Sequence, residues 1–482
     1  MTLPKFKVST WVIVIATILI ASVNVVFSCW HHSHYETHAF DLGIFDQAVW
    51  HLSHLEAPAS TVRGLTNLFG DHFHPILLLI APVYRVVPSP YVLLVIQALL
   101  FAAVIPLLFL LARQLRIPEW PSAVITLAVG INPGLTTALG FDFHELAFAL
   151  PLFVASFLFA EKKRWLWFTV TLALLILTKE SLAVYAAGIG FAFLIRKWWR
   201  PALITLTASV TAYLLITLFV IPAFSSGQGF PYWDQYRHLA ASPLRLPFTF
   251  LHHPLRFISA FADSSEKIQT MLLMLGSFAF MPLLSITTLP LLLITFAERF
   301  WSDLPTLWLF QFHYQIMPVA VMAVASLYTL SVLSRRRWWQ PVWTTAVAAL
   351  MLAGTLFVHT RTGSIRILWN PSVSERPTAM WNKALSTIPS DASVSALDAF
   401  VPHLSERNTI YRYPRIRDAQ WIVLDPRAPS FPLSSADISI RQEQYRNDAS
   451  WKLIQSDGPL TIFLRDDTSY IPDPPEDPAT RR

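Results

Sequence analysis

The sequence predicts an all-α polytopic membrane protein with about eleven transmembrane helices and a small C-terminal extracytoplasmic α/β domain. Hydrophobic residues make up 54% of the 482 and charged residues only 14%, whereas a soluble domain is typically about 25% charged. The depletion is uneven, because residues 361–482 have an ordinary soluble proportion of charge and residues 1–360 carry the whole net charge of +6. This pattern excludes a single soluble globular domain and a disordered or fibrous chain.

The apolar stretches of the first 360 residues set the number of expected spans. A helix needs about 20 apolar residues to cross a bilayer, and fewer inside a bundle. The candidate spans cover about residues 9–28, 90–112, 120–139, 145–160, 165–178, 181–195, 202–222, 269–284, 286–298, 314–333 and 341–358.

Basic clusters between these stretches predict how the chain is oriented. They are Lys5/Lys7, Arg113/Arg116, Lys162–Arg164, Arg196–Arg200 and Arg335–Arg337. With a cytoplasmic N-terminus, eleven crossings place every cluster on the cytoplasmic side, as the positive-inside rule requires. The sequence therefore predicts a multi-pass protein of the cell (inner, cytoplasmic) membrane whose C-terminal domain is extracytoplasmic. The pI near 9.4 follows from this sorting, so membrane lipids and not nucleic acid are the expected partners.

The first span has two interpretations, a cleaved signal peptide or an uncleaved anchor. Bulky Phe27 precedes Ser28-Cys29 where a lipoprotein site needs a small residue, and no small-x-small cleavage site follows closely. This favours the anchor. Cys29 is the only cysteine, so an internal disulfide is excluded.

The expected domains are a transmembrane domain over 1–359, with outer loops at 29–75 and 223–269, an α/β domain over 360–470, and a flexible tail over 471–482. In the α/β domain, strands are predicted at Ser393–Leu397, Thr409–Tyr413 and Trp421–Leu424, and a helix at Ala436–Asn447. The segment Trp451–Leu464 is predicted to form a hairpin that turns at Asp457-Gly458.

Ionisable and polar residues at the predicted outer ends of the spans are the candidates for function, because such groups are costly near a membrane unless paired or hydrated. They share one predicted face and are expected to line one cavity. The candidates are Asp41, Asp46, Gln47, His72, His74, Asp142, His144, Lys179, Glu180, Arg299, His313 and Tyr314.

The residue types leave several interpretations open. Asp41 is either the N-cap of a short interfacial helix or a catalytic carboxylate. Lys179 and Glu180 form either a neutralised pair at a hairpin tip or a phosphate contact in which Glu180 holds the lysine, and Glu298-Arg299 has the same two interpretations.

The histidines of the first outer loop are either solvated or part of a transition-metal site. They begin with His31-His32-x-His34 and His38, and the His-x-His spacing recurs at His72 and His74. The segment 243–256, which carries two arginines and two histidines, is either an interfacial amphipathic stretch or a contact for lipid phosphates.

Several motifs resemble a known family when taken together and in order. The segment 40–50 reads FDLGIFDQAVW and the segment 71–77 reads DHFHPIL. With residues 141–144, 179–180, 312–314, 401–404 and Tyr411, they resemble the domain-of-unknown-function family numbered 2079 of prokaryotic predicted membrane proteins.

That family in turn resembles the C-type (GT-C) glycosyltransferase superfamily. Its members carry an acidic residue in the first outer loop and a His-Pro motif before the second span, and Asp41 and His74-Pro75 stand in those places. GT-C enzymes usually have a glutamate directly after this aspartate, whereas here Leu42 follows Asp41. Asp46 is the candidate to replace the missing second carboxylate. The resemblance implies a polyprenyl-phosphate-linked sugar donor and a first-loop carboxylate, Asp41, that acts as base or as ligand of a divalent metal, with His74 as a second metal ligand.

The leading hypothesis from the sequence is an integral membrane glycosyltransferase that moves a sugar from a polyprenyl-phosphate-linked donor to an envelope acceptor at the outer face. Two alternatives remain: a transporter or flippase for a lipid or small anion, and a non-catalytic envelope scaffold.

Overall fold

A computed structural model describes residues 7–225, 231–242, 245–368, 375–467 and 469–473. The predicted flexible tail at 471–482 lies outside the described residues from 474 onward, as do 243 and 244 of the amphipathic segment. The helices are α1 (Val8–Ser33), α2 (Ile44–Ser53), α3 (Ala81–Val86), α4 (Pro90–Gln114), α5 (Glu119–Gly130), α6 (Pro133–Leu139), α7 (Leu146–Glu161), α8 (Trp165–Ile176), α9 (Leu182–Ile195), α10 (Trp199–Leu215), α11 (Ile221–Phe224), α12 (Leu246–His252), α13 (Pro254–Ala260), α14 (Ser265–Gly276), α15 (Leu289–Phe300), α16 (Pro305–Trp308), α17 (Ile316–Leu333), α18 (Pro341–Thr362), α19 (Thr378–Leu385) and α20 (Ser435–Asn447).

Each of the eleven predicted spans contains helix, which confirms the polytopic helical fold. Among the described residues, six helical stretches are long and apolar enough to cross a membrane, namely Val8–Ser33, Pro90–Gln114, Glu119–Leu139, Trp199–Phe224, His313–Leu333 and Pro341–Thr362. Helices α7, α8 and α9 are apolar but shorter. The predicted pair at 269–298 is shorter than expected, because 3₁₀ turns at Met281–Leu284 and Ile286–Thr288 separate α14 from α15.

Burial separates an inner helix from outer ones. Helix α17 is buried over nearly its whole length, including the small residues Ala320 and Ala323, which let neighbouring helices approach closely. Helix α1 instead leaves Ile15 and Leu19 exposed. An apolar helix that exposes large aliphatic side chains is stable in lipid, so α1 lies at the periphery of the bundle and α17 at its centre.

The tail forms a five-stranded sheet whose strands are β1 (Val394–Ala396), β2 (Ile410–Arg412), β3 (Trp421–Leu424), β4 (Lys452–Asp457) and β5 (Leu460–Leu464). The order is β2-β1-β3-β5-β4, with β1 parallel to both of its neighbours and β5 antiparallel to β3 and β4. All five strands and α20 occur where the sequence predicted them. The hairpin turns at Gly458, whose φ of 59° favours glycine.

The tail sheet and the first outer loop share one hydrophobic core. The backbone of the loop comes so close to the tail at Gly43 that an added Cβ would lie 2.9 Å from Cγ1 of Val401. The Tyr35 hydroxyl donates to Oδ1 of Asn382 at 2.6 Å. The loop that carries Asp41 is therefore held from one side by the tail.

Candidate functional site

An aspartate and two histidines from distant parts of the chain come together at one end of the helices. Nε2 of His144 lies 3.0 Å from Oδ1 of Asp41, and the His144 ring stacks on His313 with 3.5 Å between centroids. One possible ligand atom from each side chain lies within 4.8 Å of the other two. We call Asp41, His144 and His313 the Asp–His–His cluster.

Asp41 lies on a π-helical turn, Ala39–Gly43, that leads directly into α2. The interpretation of Asp41 as an N-cap is wrong, because His38 occupies the cap position and no side chain caps the turn. The turn is fixed from outside, since the backbone N–H of Ala39 donates to Oδ1 of Asp398 in the tail at 3.3 Å. The carboxylate of Asp41 is thereby left free to meet His144.

His144 is positioned by a glutamine in the N-terminal third of the apolar helix α4. Gln97 is buried; its side-chain amide donates to the carbonyl oxygen of Asp142, and its Oε1 accepts the backbone N–H of His144 at 2.9 Å. Asp142 between them has a φ of 62°, a conformation that is unusual for a residue with a side chain. The side-chain amide of Gln97 thus holds both Asp142 and His144, the two ends of the turn that places the His144 ring beside Asp41.

Lys179 and Glu180 do not form the ion pair that the sequence suggested. Nζ of Lys179 lies 3.1 Å from Oε1 of Glu145. Glu180 instead faces the first outer loop, where it accepts from Nδ1 of His72 at 2.7 Å and from the backbone N–H of Phe73 at 3.0 Å. Because adjacent side chains in a tight turn point in different directions, Lys179 and Glu180 contact different segments of the chain.

Arg299 is also not paired with its neighbour Glu298. Its Nη1 donates to the carbonyl oxygen of Tyr314, while Glu298 accepts from the hydroxyl of Tyr185. The Tyr314 ring itself lies against the ring of His313, with 4.0 Å between centroids. Tyr314 therefore connects the cationic side of the site to the cluster.

Several buried nitrogens in this region have no hydrogen-bond partner among the described residues. They are both ring nitrogens of His74, Nδ1 of His144, Nδ1 of His313, and Nε and Nη2 of Arg299. Burial lowers the pKa of His74 to about 4, so its ring is uncharged at neutral pH. An unpaired buried polar group costs about 1–3 kcal/mol, and so many in one place indicate a site that is completed by a bound molecule or water.

A second polar group lies beside His72, nearer the surface. The Tyr232 ring stacks on His72 at 4.2 Å between centroids, and its hydroxyl donates to Oδ1 of Asp71 at 2.6 Å. Arg63 donates to the other oxygen of Asp71 at 3.3 Å. Burial opposes ionisation of Asp71, but the charges of His72 and Arg63 lower its pKa to about 2. A permanently charged carboxylate therefore stands at this edge of the site.

Asp46 and Gln47 face the tail, not the Asp–His–His cluster. Asp46 accepts from the hydroxyls of Tyr84 and Ser405, each at 2.7 Å. The side-chain amide of Gln47 donates to the carbonyl oxygen of Arg407 at 3.0 Å. Asp46 is completely buried, so the structure does not support the expectation that it compensates for Leu42 beside Asp41.

The buried carboxyl of Asp46 is expected to make stability depend on pH. Burial raises its pKa to about 7, well above the value of about 4 in an unfolded chain. Its contribution to stability is then complete below pH 4 and is lost as the pH rises through 7. The temperature of the unfolding midpoint should decrease as the pH rises from about 4 to about 7, and Asp46→Asn should flatten this decrease.

Asp466→Asn, which alters an exposed tail carboxylate, is the matched control and should leave the pH profile unchanged. Parallel pH profiles for the unaltered protein and Asp46→Asn would show that Asp46 does not carry this dependence.

The remaining predicted residue, Asp142, and the histidine-rich opening have mainly structural partners. Asp142 accepts from the backbone N–H of His38 at 2.7 Å. The His32 ring stacks on His403 of the tail at 4.1 Å. The expected metal pair of Asp41 and His74 is replaced by the Asp–His–His cluster, to which His74 does not belong.

Gln97 and Asp398 were not predicted from the sequence as residues of the site. A glutamine inside an otherwise apolar span was the available signal for Gln97, since a polar side chain at that depth needs a partner. Asp398 had no such signal, because its role depends on how the tail docks.

Comparisons with known proteins agree on the type of fold. The family model described as "Predicted membrane protein (DUF2079)" matches residues 31–458. No curated protein matches the sequence. Among solved structures, ArnT from Cupriavidus metallidurans in the apo state is similar, with a TM-score of 0.54 and 12% sequence identity. The match covers 95% of this chain and 98% of that one. At this identity the likeness concerns the fold alone, which is similar to that of ArnT over nearly the whole molecule.

Proposed function

This chain belongs to the DUF2079 family of predicted membrane proteins, and from that premise we propose that it is a GT-C-type glycosyltransferase. It takes a sugar from a polyprenyl-phosphate-linked donor and transfers it to an acceptor of the cell envelope. In this proposal the protein lies in the cytoplasmic membrane, with the site and the tail domain on the extracytoplasmic side. The GT-C-like fold supports the reaction class.

One observation carries the proposal. The Asp–His–His cluster lies beside two cations, since Lys179 pairs with Glu145 next to His144 and Arg299 donates to the carbonyl oxygen of Tyr314 next to His313. Nitrogens of His144, His313 and Arg299 lack partners among the described residues. A carboxylate–imidazole pair can take a proton, and unpaired guanidinium N–H groups can bind phosphate oxygens. Both requirements of sugar transfer from a phosphate are thus present side by side.

The chemistry follows from these groups. The acceptor hydroxyl attacks the anomeric carbon, the bond from that carbon to the donor phosphate oxygen breaks, and the hydroxyl proton passes to Asp41. His144 holds Asp41 in place through the 3.0 Å contact. The open Nε and Nη2 of Arg299 stabilise the charge on the departing polyprenyl phosphate. Lys179 adds a second positive charge, partly balanced by Glu145.

The Asp–His–His cluster also fits a divalent metal. One carboxylate and two imidazoles suit a transition metal such as zinc better than magnesium, and a possible ligand atom of each lies within 4.8 Å of the others. A metal held there would supply Lewis-acid stabilisation of a phosphate or would lower the pKa of a bound hydroxyl.

We expect the purified full chain to bind zinc. His313→Ala should weaken this binding at least tenfold, since even the loss of a residue that only supports a metal ligand lowers metal affinity by about 10–100-fold. Equilibrium dialysis with metal analysis measures the affinity. The control His54→Ala alters an exposed histidine and should bind normally. Equal affinity in both variants would show that the cluster holds no zinc.

Reconstitution of the full chain in proteoliposomes with polyprenyl-phosphate sugars tests the reaction itself. We expect release of polyprenyl phosphate to match sugar incorporation, and mass spectrometry of a deletion strain to show a missing envelope glycan. Unchanged glycans, together with no transfer from any polyprenyl-phosphate donor, would rule the proposal out.

A further inference from the structure

A pocket of about 420 Å³ lies on the surface beside α12 and α13, apart from the Asp–His–His cluster. Basic and imidazole side chains make up half of its lining, and these are Arg237, Arg245, Arg256, His252 and His253. The rest of the lining includes Leu239 and Phe248. The pocket thus joins positive charge to apolar surface.

Two of these arginines have no carboxylate partner in the part of the chain that the structure describes. Arg237 forms an ion pair with Asp234 at 2.8 Å. Among the described residues, no carboxylate lies within 4.0 Å of the side chain of Arg245 or Arg256. Two guanidinium groups at one pocket without an acidic neighbour favour an anionic ligand, and their planar N–H groups match phosphate oxygens.

The helices around the pocket expose large apolar side chains beside basic ones. Helix α12 buries none of its residues, and Leu251 and Leu255 are 74% and 76% exposed. Helix α13 is anchored by Phe257, which packs on Trp301 at 5.0 Å between centroids. Exposed leucines beside arginines are stable where the apolar side chains enter lipid and the charges stay among headgroups.

The pocket lies at the same end of the spans as the candidate site. The hydroxyl of Tyr236 donates to the carbonyl oxygen of Glu298 at 2.6 Å, and Nε1 of Trp301 donates to the carbonyl oxygen of Phe257 at 3.1 Å. Both contacts tie the pocket segment to the last turns of α15, which also carry Arg299. The pocket therefore lies beside the C-terminal end of α15.

We propose that this pocket binds the headgroup of an anionic phospholipid of the surrounding bilayer. Arg245 and Arg256 contact the phosphate, and Phe248, Leu251 and Leu255 lie along the acyl chains. This site is separate from the Asp–His–His cluster and does not depend on the reaction proposed there.

Lipid titration of the purified full chain, followed by native mass spectrometry, tests the proposal. We expect phosphatidylglycerol to bind saturably and more tightly than phosphatidylcholine. The double variant Arg245→Gln/Arg256→Gln should lose about thirtyfold in affinity, since each basic residue near an anionic lipid contributes about fivefold. The double variant Arg446→Gln/Lys452→Gln removes two exposed tail charges and should bind as the unaltered protein does.

Other outcomes would overturn the proposal. Equal binding of phosphatidylcholine would indicate an acyl-chain groove, and full competition by inorganic phosphate would indicate a site for the free anion. Preferential binding of polyprenyl phosphate would assign the pocket to a donor lipid. If the arginine variant does not fold, the unaltered protein is titrated at low and at high salt. Phosphatidylglycerol binding that does not weaken at high salt would exclude a contact between the arginines and the lipid phosphate.

Discussion

Asp41→Asn is expected to lower sugar transfer by about a thousandfold, which is the scale of a lost general base. Asparagine has the same shape and can still accept a hydrogen bond from Nε2 of His144, so the turn should keep its structure. It cannot take the acceptor proton, and it is a weaker metal ligand than a carboxylate. Single-turnover assays in proteoliposomes with polyprenyl-phosphate sugar measure the chemical step directly.

The matched control for this experiment is Asp303→Asn. Asp303 is an exposed carboxylate near the same end of the spans, and its removal should leave transfer unchanged. Transfer by Asp41→Asn at the unaltered rate would remove Asp41 from the reaction, even if the enzyme class were right. A lower rate combined with an altered thermal midpoint would instead indicate a structural role.

Gln97→Leu is expected to cost about 3 kcal/mol of stability and most of the activity. The substitution leaves the buried carbonyl oxygen of Asp142 and the backbone N–H of His144 without partners, and each unpaired group costs about 1–3 kcal/mol. The turn then loses both hydrogen bonds that hold Asp142 in its left-handed conformation. His144 should move away from Asp41, so zinc binding by the cluster should weaken as well.

Ser326→Ala provides the comparison, because the Ser326 hydroxyl is equally buried but bonds only to the carbonyl oxygen of Met322 in its own helix. This variant should retain activity and metal affinity. Denaturant titration reports the stability of both variants, and dialysis reports the metal. If Gln97→Leu lost stability but bound zinc normally, Gln97 would support the fold without positioning His144.

Patterns among residues close in sequence predicted the helices of the bundle and the strands of the tail. Apolar length and basic clusters marked the helices, and alternating strands with Asp457-Gly458 marked the tail sheet, because these depend on neighbours in the sequence. The break of the span 120–139 at Asn132-Pro133 was not predicted. Its signal was present, since proline lacks the N–H that an uninterrupted helix needs and Asn132 caps the new helix α6.

The arrangement of the site could be predicted only in part. The sequence placed Asp41, His144, His313 and Lys179 at one end of the spans, and the structure brings them together. It could not assign partners, because Asp41 and His144 are 103 residues apart and their contact depends on how the bundle packs. The same holds for Asp46, because its partners Tyr84 and Ser405 come from α3 and from the tail, and the sequence does not specify how these pack on α2.

The docking of the tail on the first outer loop has a consequence for how the protein is made. The hydrogen bonds Tyr35–Asn382 and Ala39–Asp398 link residues 347 and 359 positions apart. During synthesis the turn that carries Asp41 emerges early, but its anchor is translated only after the last span. These contacts can therefore form only after the tail has been synthesised, and a chain that ends before Asn382 would lack both hydrogen bonds to the turn that carries Asp41.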